Sequence, residues 1–139
     1  MTHNIILRVI SKFLIPPIII FALYVQFHGD FGPGGGFQAG VIMSAAIILY
    51  ALVFGLDAAE KFISLTILRI LASLGVLIYA GVGIVTIFLG GNYLEYTVLG
   101  STQIAGQHLG ILLVELGVGI SVFSVMLIIF FTFAGRGRP

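Results

Sequence analysis

Four apolar runs, each long enough to cross a lipid bilayer, leave this chain few folds to choose from. A membrane-crossing helix needs roughly 20 mostly apolar residues. Residues 7–27, 37–56, 62–89 and 106–134 each reach that length. The runs are continuous and lack the alternation of a membrane barrel strand, so all four are expected to be α-helical. Of the 139 residues, 60% are hydrophobic and 8% charged, whereas a soluble domain carries about 25% charged residues. The solvent of such a chain is lipid. The expected architecture is an all-α integral membrane protein, a single membrane domain over residues 1–139 with about four transmembrane helices. The first run lacks the cleavage pattern of a signal peptide and is read as a resident span. The absence of cysteine excludes disulfides, thiolate metal sites and cysteine nucleophiles. A net charge of +1 without a Lys/Arg cluster argues against nucleic acid as a partner.

The basic residues suggest an orientation. With four spans, both termini and the middle connector share one side, and Arg8, Lys12, Lys61, Arg69, Arg136 and Arg138 all belong to it. The positive-inside rule makes that side cytoplasmic. The other two connectors then face outward. One of them is the glycine-rich stretch His28-Gly29-Asp30-Phe31-Gly32-Pro33-Gly34-Gly35-Gly36-Phe37-Gln38-Ala39-Gly40. Six of its thirteen residues are glycine, so it has little propensity for a regular helix. It also holds one of three histidines and one of five carboxylates in the chain. That combination predicts a shaped loop that packs against something else. It is not a phosphate cradle, because no Lys-Ser/Thr follows it and no strand precedes it. The other outward connector holds Tyr93, Glu95 and Tyr96, with the tyrosines placed as in an interfacial aromatic belt.

Within the spans, Pro16-Pro17 removes two backbone donors and predicts a kink or break in the first helix. The connector Asp57-Ala58-Ala59-Glu60-Lys61 reads as solvated. Arg69 shares a helical face with Thr66, Ser73, Ala80 and Gly83, which predicts a helix–helix contact there. Snorkelling and a buried ion pair both remain open for the arginine. In the fourth run Gly106, Gly110, Gly117, Ser121 and Ser124 fall within about 60° on a helical wheel, a face suited to close packing. His108 and Glu115 share the opposite side, about 10 Å apart along the axis. A helix of this kind wants protein or a wet cavity on both sides, so the chain is expected to be one component of a larger complex.

Three residues are candidates for an ion or proton pathway. Glu115 lies in an apolar helix, where a carboxylate is costly. It reads as a proton or cation relay, or as a structural partner of another helix through a group such as Arg69. His28, at the outer end of the first span, carries an imidazole, the side chain whose ordinary range lies near physiological pH. It reads as a proton acceptor or as a tie to loop carbonyls. His108 is the next polar station outward from Glu115 or an interface anchor, and His3 is uninformative. No Ser-His-Asp spacing or clustered metal ligands point to hydrolysis, so no enzyme, metal centre or cofactor is expected.

His28-Gly29, followed by Pro33-Gly34-Gly35-Gly36-Phe37-Gln38-Ala39-Gly40 opening a helix, resembles the signature of the MnhB family, a component of multisubunit Mrp-type cation:proton antiporters. The likeness covers essentially the whole chain and includes a late Glu115-Leu116-Gly117-Val118. It implies an accessory subunit of a large hetero-oligomer in the prokaryotic cell (inner or plasma) membrane, exchanging cytoplasmic Na⁺ (or K⁺ or Li⁺) for external protons. The large proton-translocating subunits would be separate chains resembling the antiporter-like subunits of respiratory complex I. This chain's share would be to stabilise the assembly and help line an ion path. Related subunits also occur in membrane-bound hydrogenase-like complexes, so an equivalent place in such a complex I-related assembly is one alternative. An autonomous transporter, a homodimer of four-helix protomers around a membrane glutamate, is another.

Overall fold

The computed structural model describes residues 4–136; His3 and Arg138 lie outside them. Five α-helices follow in order: α1 (Ile5–His28), α2 (Gly36–Phe54), the short α3 (Leu56–Phe62), α4 (Leu65–Phe88) and α5 (Gln103–Ala134), with a 3₁₀ turn at Tyr96–Leu99. Helices α1, α2, α4 and α5 are each long and apolar enough to cross a membrane. Among the described residues there is no strand.

Local chemistry explains most of the boundaries. Ser64 and Thr102 cap α4 and α5, their hydroxyls accepting from the N–H groups of Ile67 and Ala105 at 3.3 and 3.2 Å. Gly55, at φ +103°, ends α2 and donates its N–H to the Ala51 carbonyl at 2.9 Å. The backbone there turns into a region closed to most L-residues, so glycine is required. The expected break at Pro16-Pro17 does not occur, because α1 runs unbroken through both prolines. They forgo the hydrogen bonds to the Lys12 and Phe13 carbonyls, while the turns on either side keep theirs. The connector read as solvated keeps Asp57 and Lys61 exposed but is helical. Residues 56–62 form α3, and Ala59 is fully buried in a cluster with Ile47, Ala51, Leu68, Leu127 and Phe131.

The long helices form an open row. α5 packs between α2 and α4, and α1 lies on the far side of α2 with only marginal contact to α5. The α4–α5 contact is built from small residues. A Cβ on Gly75 would come within 2.6 Å of the Gly117 carbonyl and 2.8 Å of the Ser121 N–H nitrogen. The face α4 turns inward carries Leu68, Gly75, Val82, Gly83 and Thr86. Arg69 is rotated about 100° from Leu68 and is exposed with Thr66 and Ser73. The helix contact expected around the arginine is therefore shifted within this chain. Of that predicted face, Gly83 alone is buried. The shift arises because Leu68 and Gly75 fit α5 more closely than a stripe led by a guanidinium.

The helices do not end at one level. α5 has 32 residues and α2 only 19, about 48 Å against about 28 Å at 1.5 Å per residue. The two run parallel from the loop end toward the end bearing the basic residues. Gly36, the first residue of α2, abuts the backbone of Glu115. Glu115 lies twelve residues beyond Gln103, so α2 begins about 18 Å short of the top of α5, and the loop before it reaches up to His108. Exposed Ile84, Ile87, Phe88 and Leu89 carry the apolar surface of α4 above that level. The result is a step between a short hairpin and a tall one.

Candidate functional site: the step at Glu115

A carboxylate that belongs in water sits at the foot of this step. The ends of α1 and α2 meet there, and glycines make the meeting close. A Cβ on Gly29 would lie 2.6 Å from both Glu115 carboxylate oxygens. At Gly35 (φ +145°) it would lie 3.2 Å from Glu115 Oε1 and 3.4 Å from Gln38 Oε1. The loop thus wraps backbone, rather than side chains, around the carboxylate. The N-terminal end of α2, with its unsatisfied N–H groups and positive dipole end, starts beside it. Within the loop motif, Pro33 and Phe37 are exposed, while Gly35, Gly36 and Gly40 are buried. Gly40 carries the α2–α5 contact onward, a Cβ there meeting the Gly119 carbonyl at 2.7 Å.

Above Glu115 a cleft of about 290 Å³ opens between the hairpins, lined by Gln26, Phe27, Asp30, Phe31, His108, Leu112 and Glu115. The Asp30 carboxylate pairs with His108 Nδ1 across its mouth. The His108 side chain is 52% exposed and that of Asp30 22%, so the pair is reachable from solvent. The Phe31 ring stacks on His108 at 6.2 Å between centroids. Phe31 and Gly32 are held in a tight turn, their N–H groups donating to the His28 carbonyl at 3.0 and 3.2 Å. Among the described residues, no three His, Cys, Asp or Glu side chains converge as a metal site. The cleft opens Glu115 toward solvent past the Asp30–His108 pair.

Sequence periodicity places His108 and Glu115 on one face of α5, and both line the cleft. His28 does not. It stacks on Tyr24 at 4.9 Å and faces Phe31 at 6.3 Å, behind the loop. An ion pair of Glu115 with Arg69 does not form. Gly117 sits against Tyr79 and Gly75, so Arg69 is about ten residues, or 15 Å, down α4 from the level of Glu115. Gly106 and Gly110 meet the Tyr96 carbonyl and the Tyr96 ring, and Gly117 and Ser121 meet α4, where the Ser121 hydroxyl donates to the Ala72 carbonyl at 3.4 Å. Tyr96 and Tyr93 therefore fold onto glycines, Tyr93 onto Gly83, and only partly serve as a belt. Burial, with the nearby Tyr79 and Tyr93 hydroxyls, raises the Tyr96 phenol above the usual tyrosine range. Two cleft residues, Asp30 and Gln26, are not among the candidates that the sequence pattern singles out. The signal for the first is its rarity as a carboxylate, and for the second an amide inside an apolar span.

Comparison with known proteins adds to this geometry. A family described as a domain related to the MnhB subunit of Na⁺/H⁺ antiporter matches residues 6–128. A protein named "Putative antiporter subunit mnhB2" from Staphylococcus aureus strain Newman is 35% identical over 136 residues, covering 96% of each chain. The proteins of that name from strains USA300 and COL are similar to the same extent.

Proposed function

The chain belongs to the MnhB family, and on that premise we propose that it is an accessory subunit of a multisubunit cation:proton antiporter. It is a multi-pass cell membrane protein, and its work is transport rather than catalysis of a chemical reaction. Its basic end lies in the cytoplasm and its glycine loop faces outward, as the distribution of Arg8, Lys12, Lys61, Arg69 and Arg136 supports. Large antiporter-like subunits complete the assembly and exchange Na⁺ (or K⁺ or Li⁺) for protons.

Within that assembly Glu115 is a station of the ion path, with His108 and Asp30 at its outer mouth. The observation that carries this reading is the carboxylate's setting. It lies deep in an apolar helix, clasped by the Gly29 and Gly35 backbone, yet it opens to a cleft with a solvent-reachable ion pair at its mouth. A carboxylate serving only to hold helices together would bond a partner group. Here glycines bring backbone to it and the cleft leaves it open. The test is Glu115→Gln, which keeps the shape and removes the titrating group. Antiport in inverted vesicles is expected to fall by about a hundredfold, a common cost of losing a positioned proton carrier, with complex assembly unchanged. Normal assembly with normal antiport would remove Glu115 from the path.

A further inference from the structure

Two cavities meet at Gln26 and Phe27. Behind the polar cleft, a groove of about 340 Å³ runs between α1 and α5 over the floor formed by Ala39, Gly40 and Met43 of α2. Every residue lining it is apolar except Gln26, which also lines the cleft. Gln26 is 8% exposed. Its Oε1 is tucked against Gly119, where any Cβ would collide with it. Among the described residues, its Nε2 is the buried side-chain nitrogen or oxygen left without a hydrogen-bond partner.

A buried amide donor without an acceptor costs stability, and a protein retains one where something else satisfies it. The groove offers no acceptor. The cleft does, because Asp30, His108 and Glu115 surround enough space for several waters at about 30 Å³ each. We propose that the cleft is a water-filled half-channel leading protons from the loop face to Glu115, and that Gln26 is its inner terminus. This rests on the reading of Glu115 as an ion-path station. Gln26 Nε2 donates to the oxygen of the last water, leaving both hydrogens of that water free to point outward or toward the carboxylate. A hydronium at the mouth gives its proton along the chain of waters to a Glu115 oxygen and is left as water. Gln26 keeps its own protons throughout, so it is a positioning residue. The apolar groove below it stops the water, which closes the path to leakage past Glu115.

The chain has no cysteine, so single cysteines report accessibility cleanly. Gln26→Cys, Leu112→Cys, Phe31→Cys and the groove control Leu23→Cys are each placed in the full complex. They are treated, from either face of the membrane, with a charged thiol reagent that cannot cross it. The expected result is labelling at positions 31, 112 and 26 from the loop face and none at 23. Labelling at 31 without 112 or 26 overturns the half-channel and leaves Glu115 as a station reached otherwise. Labelling at 112 without 26 overturns Gln26 as the terminus. Labelling from the basic face alone overturns the orientation on which the functional reading depends.

Transport supplies the second readout. Gln26→Met is expected to lower turnover about tenfold, the worth of one hydrogen bond, without changing the apparent KM for the alkali cation, and Gln26→Asn, which keeps an amide donor, to restore part of it. Wild-type turnover in Gln26→Met overturns the positioning role. Should that variant fail to assemble, Gly119→Ala, which crowds the amide, takes its place with the same expectation and the same contrary result.

Discussion

Gly75 and Gly29, on two sides of α5, serve opposite purposes. Toward α4, the space a Cβ on Gly75 would need is occupied by the Ser121 hydroxyl and by backbone, the Gly117 carbonyl and the Ser121 nitrogen. Toward the loop, the space beside Gly29 is occupied by the end of a flexible side chain, the Glu115 carboxylate. At Gly75 the small residues bring two helices together against backbone that cannot yield. At Gly29 they bring backbone to an ionisable group that can move. The same residue type therefore reports rigidity at Gly75 and chemistry at Gly29.

Substitutions can break this contrast. Gly75→Leu is expected to have the largest effect, because overpacking against immovable backbone costs about 1–3 kcal/mol or more. The amount of assembled complex recovered in mild detergent should collapse, and antiport with it. Near-normal assembly would mean that α4 and α5 are not held by close backbone contact. Gly29→Ala, at φ −59°, introduces no backbone strain, and only the Glu115 carboxylate must give way. Thermal stability of the complex should stay within about 0.5 kcal/mol, as for substitutions away from packed features. Antiport, by contrast, should fall severalfold as the carboxylate is displaced. If Gly29→Ala instead lowers assembly as Gly75→Leu does, the distinction between the two faces fails.

The mouth of the cleft gives smaller effects. Asp30→Asn removes the charge opposite His108, and an exposed pair of this kind is worth at most about 1 kcal/mol. Antiport rate at saturating cation is expected to drop about two- to threefold, the size that such a small energy allows, with assembly intact. No change at any pH would take the pair out of the path. His28→Ala should matter least. The imidazole lies behind the loop and touches the cleft only through Phe31, so the pH dependence of antiport should keep its shape. A displaced pH profile would return His28 to the path, as its position at the end of the first span suggested.

The sequence was legible where one dimension suffices. Span length follows from apolar run length, so α1, α2, α4 and α5 fall within a few residues of their expected bounds. Helical periodicity likewise separated His108 and Glu115 from the glycine and serine face of α5. What could not be read was which element meets which face, and at what height. Asp30 and Gln26 join Glu115 only because α2 begins about 18 Å below the top of α5 and the loop before it reaches His108, a fact of packing that no local pattern carries. The Arg69 face shows the same limit: within this chain α5 takes the neighbouring face through Leu68 and Gly75, and Arg69, Thr66 and Ser73 stay exposed. The seven residues of α3 are too few for periodicity to declare a helix, and their order depends on burying Ala59.

The most direct test of the accessory role is a mild-detergent purification of the tagged chain from its native membrane, with mass spectrometry of what accompanies it. Stoichiometric recovery of large antiporter-like membrane subunits is the expected result. Recovery of the chain alone as a discrete homodimer, under conditions that preserve other membrane complexes, would contradict it and make the four helices a transporter in their own right.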